Sequence, residues 1–442
     1  MVQFSVNMRV GRASACRGEV TPRCDEDGRS PCLIRYSKNP CVSTTFKKPL
    51  KFLMDKKSEQ FWGIYVHIPY CVRKCPYCDF YSHDDPSSVP VFLEALDREI
   101  EMVGGRDQIY DTLYIGGGTP SVLEPATLAR IIETTHRHFK FHSDVEATLE
   151  VNPGTVSRDS LAKYRRAGIN RLNIGVQSFH DENLEFLGRI HSVDEAVSSI
   201  EWARLAGFDN VGLDLIYGLP GQDKENWLSD LHRALEAEIE HLSCYMLTCE
   251  AGTPLGRDVN SGRIEMLPDS TVRELFDTTI DFLTTHGFLQ YEISNFAKQA
   301  ESGSKARYSR HNQKYWSFAP YIGLGPSAHS FIMPERYWNH RSLEDYVRQI
   351  KAGRLPIAEK ETLTREQMIM EAIYLGLRTT RGIDLNRFEK MFKISFLQTF
   401  EDEIAELAKD GLLKIMNNHC MLTPECMAYL DSIAAMFTSQ DV

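Results

Sequence analysis

From residue 63 the chain alternates between two hydrophobic rhythms. Short runs rich in β-branched and aromatic residues recur at 64–68, 112–115, 145–151, 171–176, 211–216 and 241–247. Between them, apolar residues return every three or four positions over 91–103, 125–139, 157–167, 193–206 and 224–236, with a sixth such stretch near 269–286. The first pattern suits strands buried in a sheet, and the second suits amphipathic helices. Strand–helix alternation at about 30-residue spacing predicts repeated βαβ units and a parallel sheet. Six pairs are fewer than the eight that close a full barrel. The fold class expected is therefore α/β: a partial (β/α)6 barrel over residues 55–295, with one gap in its wall. Ligands of such sheets sit at the carboxyl ends of the strands.

The rhythm changes twice more. Residues 296–364 are rich in aromatic and polar residues and read as a connecting region. From 365 to 442 helical spacing returns at 366–377, 385–392, 396–409 and 424–437. The Asp410-Gly411 stop, followed by 414–421, suggests a small β-wing. A compact α+β winged-helix-like domain is expected there. Residues 1–54 lack apolar periodicity and carry more Lys and Arg than Asp and Glu. They read as a disordered extension, or as an upstream stretch with Met54 as the true start. Arg9, Arg12 and Arg17 precede the first acidic residue, Glu19, which leaves an organelle transit peptide as an alternative.

Composition narrows the function. The 442 residues are 42% hydrophobic and 25% charged, ordinary for a globular protein. No window offers about twenty consecutive apolar residues, so stable membrane insertion is not expected. The net charge of -11 argues against a nucleic-acid binder, which needs surplus Lys and Arg to neutralise phosphate. Of eleven cysteines, three are packed together at Cys71, Cys75 and Cys78, directly after the first predicted strand. A tight trio in a long chain reads as metal binding in a reducing compartment.

A CxxxCxxC loop can wrap three thiolates around one iron–sulfur cluster. A cubane normally takes four Cys ligands, so three would leave one iron open to a small chelating molecule. Structural zinc, completed by His67 or His83, is the alternative. Further motifs fall on the predicted strand ends. They are Gly116-Gly117-Gly118-Thr119-Pro120, Glu150-Val-Asn152-Pro153, Asn173-Ile-Gly175-Val-Gln177-Ser178 with Gly188-Arg189, and Asp214-Leu-Ile-Tyr-Gly218-Leu-Pro220-Gly221. Glycines let a backbone approach a ligand closely, and a carboxylate at a strand end can bond ribose hydroxyls. Singly, each motif is also an ordinary turn or helix cap.

The cysteine spacing, with Tyr77 before the third cysteine, resembles the signature of the radical S-adenosylmethionine (SAM) superfamily. The ordered set of motifs resembles the oxygen-independent coproporphyrinogen III oxidase-like family, over residues 61 to about 440. The resemblance implies a [4Fe-4S] cluster on the three cysteines. It also implies SAM contacts at Tyr65, Tyr77, Gly117, Gly118, Thr119, Glu150, Gln177, Arg189 and Asp214, with one or two SAM molecules bound. Authentic oxidases continue their motif as CxxxCxxCxC, whereas this chain has Phe80 at the last position. Cys78-Asp79-Phe80 instead resembles the haem-chaperone branch, HemW. So does His311-Asn312-Gln313-Lys314-Tyr315-Trp316, an HNxxYW string proposed in that branch to take part in haem binding. Imidazole is a common haem ligand, which makes His311 the first haem candidate and His329 the second. Cys244 and Cys249 are expected to pack as small apolar residues.

The leading expectation is thus a protein that binds cluster, SAM and haem. Its partners would be an electron donor and a haem acceptor, a respiratory haem protein by the resemblance. It would act in the cytoplasm, or in the mitochondrion if the extension is a transit peptide. The alternatives are an oxidoreductase that oxidatively decarboxylates coproporphyrinogen III, and a radical SAM enzyme acting on another substrate.

Overall fold

The computed structural model describes residues 61–300 and 306–437, so the expectations for residues 1–54 lie outside it. Strand β1 (Trp62–Ile68) is buried along its whole length and is followed by helix α1 (Val89–Val103). The unit then repeats. It comprises β2 (Ile109–Gly117) with α2 (Pro125–His138), β3 (Lys140–Val151) with α3 (Arg158–Arg166), and β4 (Arg171–Gln177) with α4 (Asp181–Phe186) and α5 (Val193–Leu205). After these come β5 (Val211–Tyr217) with α6 (Lys224–Glu236), and β6 (His241–Met246) with α7 (Pro254–Asn260) and α8 (Asp269–Thr285). The six strands pair in parallel in chain order, as the hydrophobic rhythm predicts. Helix starts follow local chemistry. Ser192 and Glu195 form a reciprocal capping box on α5, and Asp223 caps α6.

Residues 296–364 correct the connecting region expected there. Helix α8 is followed by β7 (Phe288–Gln290), β8 (Asn295–Lys298), α9 (Arg310–Trp316), β9 (Tyr321–Leu324), β10 (His329–Ile332), β11 (Glu335–Asn339), α10 (Leu343–Lys351) and β12 (Ile357–Thr362). β9 joins β1 in parallel, and β10, β11 and β12 extend that edge in antiparallel order. β8 and β7 extend the other edge beyond β6, giving twelve strands in one sheet. These added strands are three to six residues long. That is too short for period-two alternation to stand out from aromatic-rich loop.

Helix α9 closes the amino-terminal end of the barrel. Glu146 accepts hydrogen bonds from the backbone N–H groups of Arg310 (2.9 Å) and His311 (3.3 Å). Lys314 pairs with Asp111 at 2.5 Å and also bonds the Phe61 carbonyl. Gly63 makes the fit possible, because a Cβ there would lie 2.8 Å from Lys314 Cδ and 3.0 Å from His311 Cε1.

The C-terminal domain runs α11 (Arg365–Leu377), β13 (Ile383–Asp384), α12 (Leu385–Phe392), α13 (Phe396–Thr399), α14 (Glu401–Lys409), β14 (Leu413–Met416), β15 (His419–Leu422) and α15 (Leu430–Met436). Its three strands form a separate sheet in the order β13-β15-β14. The β14–β15 hairpin turns on Asn417 and Asn418, both at positive φ, as a type I′ turn requires. Helices around a small wing match the winged-helix-like expectation. An aromatic core of Phe388, Phe392, Phe396, Phe400 and Phe437 holds them together.

One buried carboxylate fastens the added strands to the barrel. Glu99 of α1 accepts bonds from Tyr346 Oη (2.6 Å), Asn339 Nδ2 (2.6 Å) and the Gly325 N–H (2.7 Å). Burial raises its carboxyl from 4.5 to about 7, although the three donors pull the other way. The folded chain then holds a proton that the unfolded chain has lost, and stability falls as pH rises from about 4.5 to about 7. The expected slope is at most about 1.4 kcal/mol per pH unit. Glu99→Gln should remove that component, measured as the denaturant midpoint against pH.

Candidate functional site

At the carboxyl ends of β1–β6 the loops enclose a cavity of about 1130 Å³. The cysteine loop forms one wall. It leaves β1, and Cys71 N–H bonds back to the His83 carbonyl at 3.1 Å while Cys78 N–H bonds the Cys75 carbonyl at 3.1 Å. Cys71, Cys75 and Cys78 are partly exposed, free of disulfides, and all face the cavity. Cys71 Sγ lies 3.3 Å from Thr119 Oγ1. Burial pushes the Cys78 thiol up to about 11, with Cys75 and Cys71 adding to the shift, so metal loading there must displace a proton. Among the described residues, no three His, Cys, Asp or Glu side chains converge on a single ion. His67 is engaged elsewhere. Its Nδ1 accepts from Tyr65 Oη at 3.0 Å, its Nε2 donates to the Tyr81 carbonyl at 2.9 Å, and burial holds it near 4. Three free thiols on one loop suit an iron–sulfur cluster with one iron left open to a small molecule.

The glycine turn forms the next wall. A Cβ on Gly118 would lie 2.5 Å from the Tyr70 carbonyl oxygen, and one on Gly116 would lie 2.8 Å from the Glu150 carboxylate. The glycines thus let the β2 turn nest between the cysteine loop and β3. Glu150 Oε2 accepts from Gly117 N–H (3.1 Å), and Oε1 accepts from Tyr114 Oη (2.8 Å). Burial raises the Glu150 carboxyl, and these two donors oppose the rise.

β4 and β5 supply the opposite side. Asn173 Nδ2 donates to Asp214 Oδ2 at 2.6 Å, while Asp214 Oδ1 is buried with no hydrogen-bond partner among the described residues. An unsatisfied buried carboxylate oxygen facing a cavity is a place for a ligand donor. Gln177 sits at φ 70, where the pairing of β4 with β5 slips by one residue. That left-handed backbone is costly for a non-glycine residue and typical of binding sites. Arg189 Nη2 donates to the Gly175 carbonyl at 2.8 Å, and Nη1 lies 3.6 Å from Cys75 Sγ.

The structure therefore gathers Cys71, Cys75, Cys78, Tyr77, Gly117, Gly118, Thr119, Glu150, Gln177, Arg189 and Asp214 around one cavity. Three expected residues, Tyr65, His311 and His329, stand apart. Tyr65 is buried beneath the cavity and bonded to His67. His311 lies deeper still, fully buried, with its ring 5.2 Å from that of Tyr114 and 6.4 Å from that of Tyr65. Both of its nitrogens are engaged, Nδ1 with Thr112 Oγ1 (2.8 Å) and Nε2 with Tyr315 Oη (3.0 Å). His329 stacks on Trp338 at 5.5 Å. Of the remaining cysteines, Cys244 is buried in the main core, and Cys249 packs partly buried beside Leu187 and Ile216.

Sequence reasoning missed two groups. Tyr114 anchors Glu150, and its signal was present: it stands two residues before Gly116, on the same face of its strand. The outer wall comes from the C-terminal domain, through Tyr374, Arg378, Met427 and Tyr429. Only the folded arrangement brings those residues to the barrel mouth.

Comparison with known proteins agrees with this geometry. Residues 65–234 match the radical SAM superfamily model, and residues 363–428 match the HemN C-terminal domain model. The chain is 35% identical to the haem chaperone HemW of Bacillus subtilis, over 81% of this chain and 94% of that protein. It is 41% identical to HemW of Escherichia coli, over 61% of this chain and 70% of that protein. It is also 32% identical to the mitochondrial radical S-adenosyl methionine domain-containing protein 1 of Danio rerio, over 84% and 85% of the two chains. Among solved structures, coproporphyrinogen III oxidase (HemN) of Escherichia coli superposes with a TM-score of 0.73 at 25% identity, over 86% of this chain and 91% of that one. The chain belongs to the radical SAM superfamily, in the HemW branch of the oxygen-independent coproporphyrinogen III oxidase-like family.

Proposed function

We propose that this protein is a haem chaperone: it carries a [4Fe-4S] cluster and SAM, binds haem, and passes haem to an acceptor protein. Superfamily membership implies the cluster and SAM. The observation that carries the chaperone reading is Phe80, which lines the cavity where oxidases place a further cysteine. The names of relatives matched over most of their length support it. Cys71, Cys75 and Cys78 would hold the cluster. When bound, the cluster supplies an electron to the SAM sulfonium. The chain's own residues position the nucleotide. Gly117, Gly118 and Thr119 would hold its amino end, Glu150 its ribose, and Tyr77, Gln177, Arg189 and Asp214 its remaining polar groups. Tyr65, bonded to His67 below the cavity, would support the site without touching the nucleotide.

His311 is the proposed imidazole ligand of haem, and its setting imposes a condition. Burial lowers its pKa, so the ring is neutral and suited to iron, but both nitrogens are taken. Ligation requires one of these two bonds to break and the buried ring to become exposed. We place the protein in the cytoplasm, or in the mitochondrion if residues 1–54 direct it there. An electron donor for the cluster and a respiratory haem acceptor complete the partners. Among the described residues, no helix is long and apolar enough to cross a membrane.

Three outcomes are expected. Anaerobically reconstituted protein should bind haem in a spectroscopic titration and should leave coproporphyrinogen III unchanged. Rapid decarboxylation would establish the oxidase reading instead. For SAM, Glu150→Gln should weaken binding by about 10- to 100-fold and Tyr114→Phe by about 2- to 10-fold, as expected for charged and neutral hydrogen bonds respectively, measured by equilibrium dialysis. For haem, His311→Gln should abolish the imidazole signature of the haem spectrum, and an unaltered spectrum would assign His311 to the barrel floor alone.

A further inference from the structure

The cysteine loop carries an arginine that the cluster signature does not require. Arg73 is exposed, yet its Nη2 donates to two backbone carbonyls at once, Gly188 O at 2.8 Å and Arg189 O at 2.7 Å. Those carbonyls belong to the turn that ends α4. The turn is tightly built: Gly188 sits at φ +66, and a Cβ on it would lie 2.7 Å from Pro76 Cδ. The cysteine loop and the Gly188–Arg189 turn therefore interlock, with Pro76 packed beneath and Arg73 clamped above. The side chain that this clamp delivers is Arg189. Its Nη1 lies 3.6 Å from Cys75 Sγ, and its Nη2 is fixed by the Gly175 carbonyl at 2.8 Å.

A guanidinium beside a thiolate ligand matters to an iron–sulfur cluster. Reduction adds one negative charge, and the potential depends on net charge and on hydrogen bonds to the sulfurs. A cation held at one cysteine sulfur stabilises the reduced state and makes reduction easier. Outer partners of a ligand act this way only while their own orientation is fixed.

We propose that Arg73 is a positioning residue: by gripping both carbonyls of the Gly188–Arg189 turn it holds the Arg189 guanidinium against Cys75, and so sets how readily a cluster on the three cysteines takes one electron from a low-potential donor. This rests on the cluster reading of the trio. It assigns Arg189 a role at the cluster that precedes any contact with SAM, and it makes an exposed residue part of the redox machinery.

The test uses full-length protein, reconstituted anaerobically and without SAM. The cluster is titrated with a photoreduced deazaflavin and followed by electron paramagnetic resonance. Arg189→Gln should lower the equilibrium constant for reduction about tenfold, which is about 59 mV for one electron. Arg73→Gln should shift it in the same direction by a smaller amount. Arg73→Lys should recover most of the loss, because an ammonium can donate to the same two carbonyls. The double variant Arg73→Gln/Arg189→Gln should match Arg189→Gln alone, the non-additivity expected when one residue acts through the other. Additive shifts, or a wild-type potential in Arg73→Gln, would overturn the positioning role. A wild-type potential in Arg189→Gln would overturn the electrostatic one. Failure of the unmodified protein to assemble a cluster is a different result, and it would sink the cluster reading itself.

Discussion

Parallel pairing is the constraint from which the site follows. Six strands that run the same way must all end on one side of the sheet, and each return helix keeps the other side of the loop path occupied. Loops far apart in the chain are thereby forced together. Cys71 follows β1, Gly117 ends β2, Glu150 ends β3, Gln177 ends β4 and Asp214 lies on β5, yet all line one cavity. No single loop could supply three thiolates, a glycine cradle and two carboxylates. The sheet supplies them by direction alone.

The same geometry leaves the barrel interior to be filled from below. Most interior positions here are polar or glycine rather than branched aliphatic. Thr112, Glu146, Arg171 and His241 are buried, and His311 enters among them from α9. Burial raises the Glu146 carboxyl, and Arg171 and Arg310 counter it. Polar groups this deep are stable only when paired. That requirement explains why α9 brings donors rather than apolar knobs. It also explains why Tyr114 stands between floor and mouth, with its ring near His311 and its hydroxyl on Glu150.

Much of this was legible from residue order, for identifiable reasons. The runs that became β1 to β6 carry apolar residues, mostly branched or aromatic, at alternate positions on the face that meets the helices, which marks them as strands, and the motifs stand at their carboxyl ends. The edge strands β9 to β12 escaped notice because Tyr321–Leu324 and His329–Ile332 are only four residues each and carry Gly, His and Ser. The chemistry of His311 is legible in the sequence. Its burial and its partners Thr112 and Tyr315 are non-local, which a sequence does not show. The wall formed by Met427 and Tyr429 was hidden for the same reason: it depends on how the C-terminal domain seats against the barrel mouth.

That seating bears on the haem question through one short segment. Tyr291 Oη bonds His241 on the barrel floor at 2.6 Å, and its ring lies 5.7 Å from Trp316 of α9. Its carbonyl accepts from Thr380 N–H of the C-terminal domain at 3.2 Å. The next residue, Glu292, is fully buried and pairs with Arg378 at 2.8 Å, while its other oxygen accepts from Asn295. Arg378 is itself part of the cavity wall. An α9 displaced from the floor would give up its packing on Tyr291, and Tyr291 and Glu292 are two of the residues that bond the C-terminal domain, through Thr380 and Arg378. On the proposed haem reading, exposing the imidazole would therefore disturb a residue that also touches the C-terminal domain. Two adjacent residues thus join the barrel floor, helix α9 and the C-terminal domain in one continuous set of contacts.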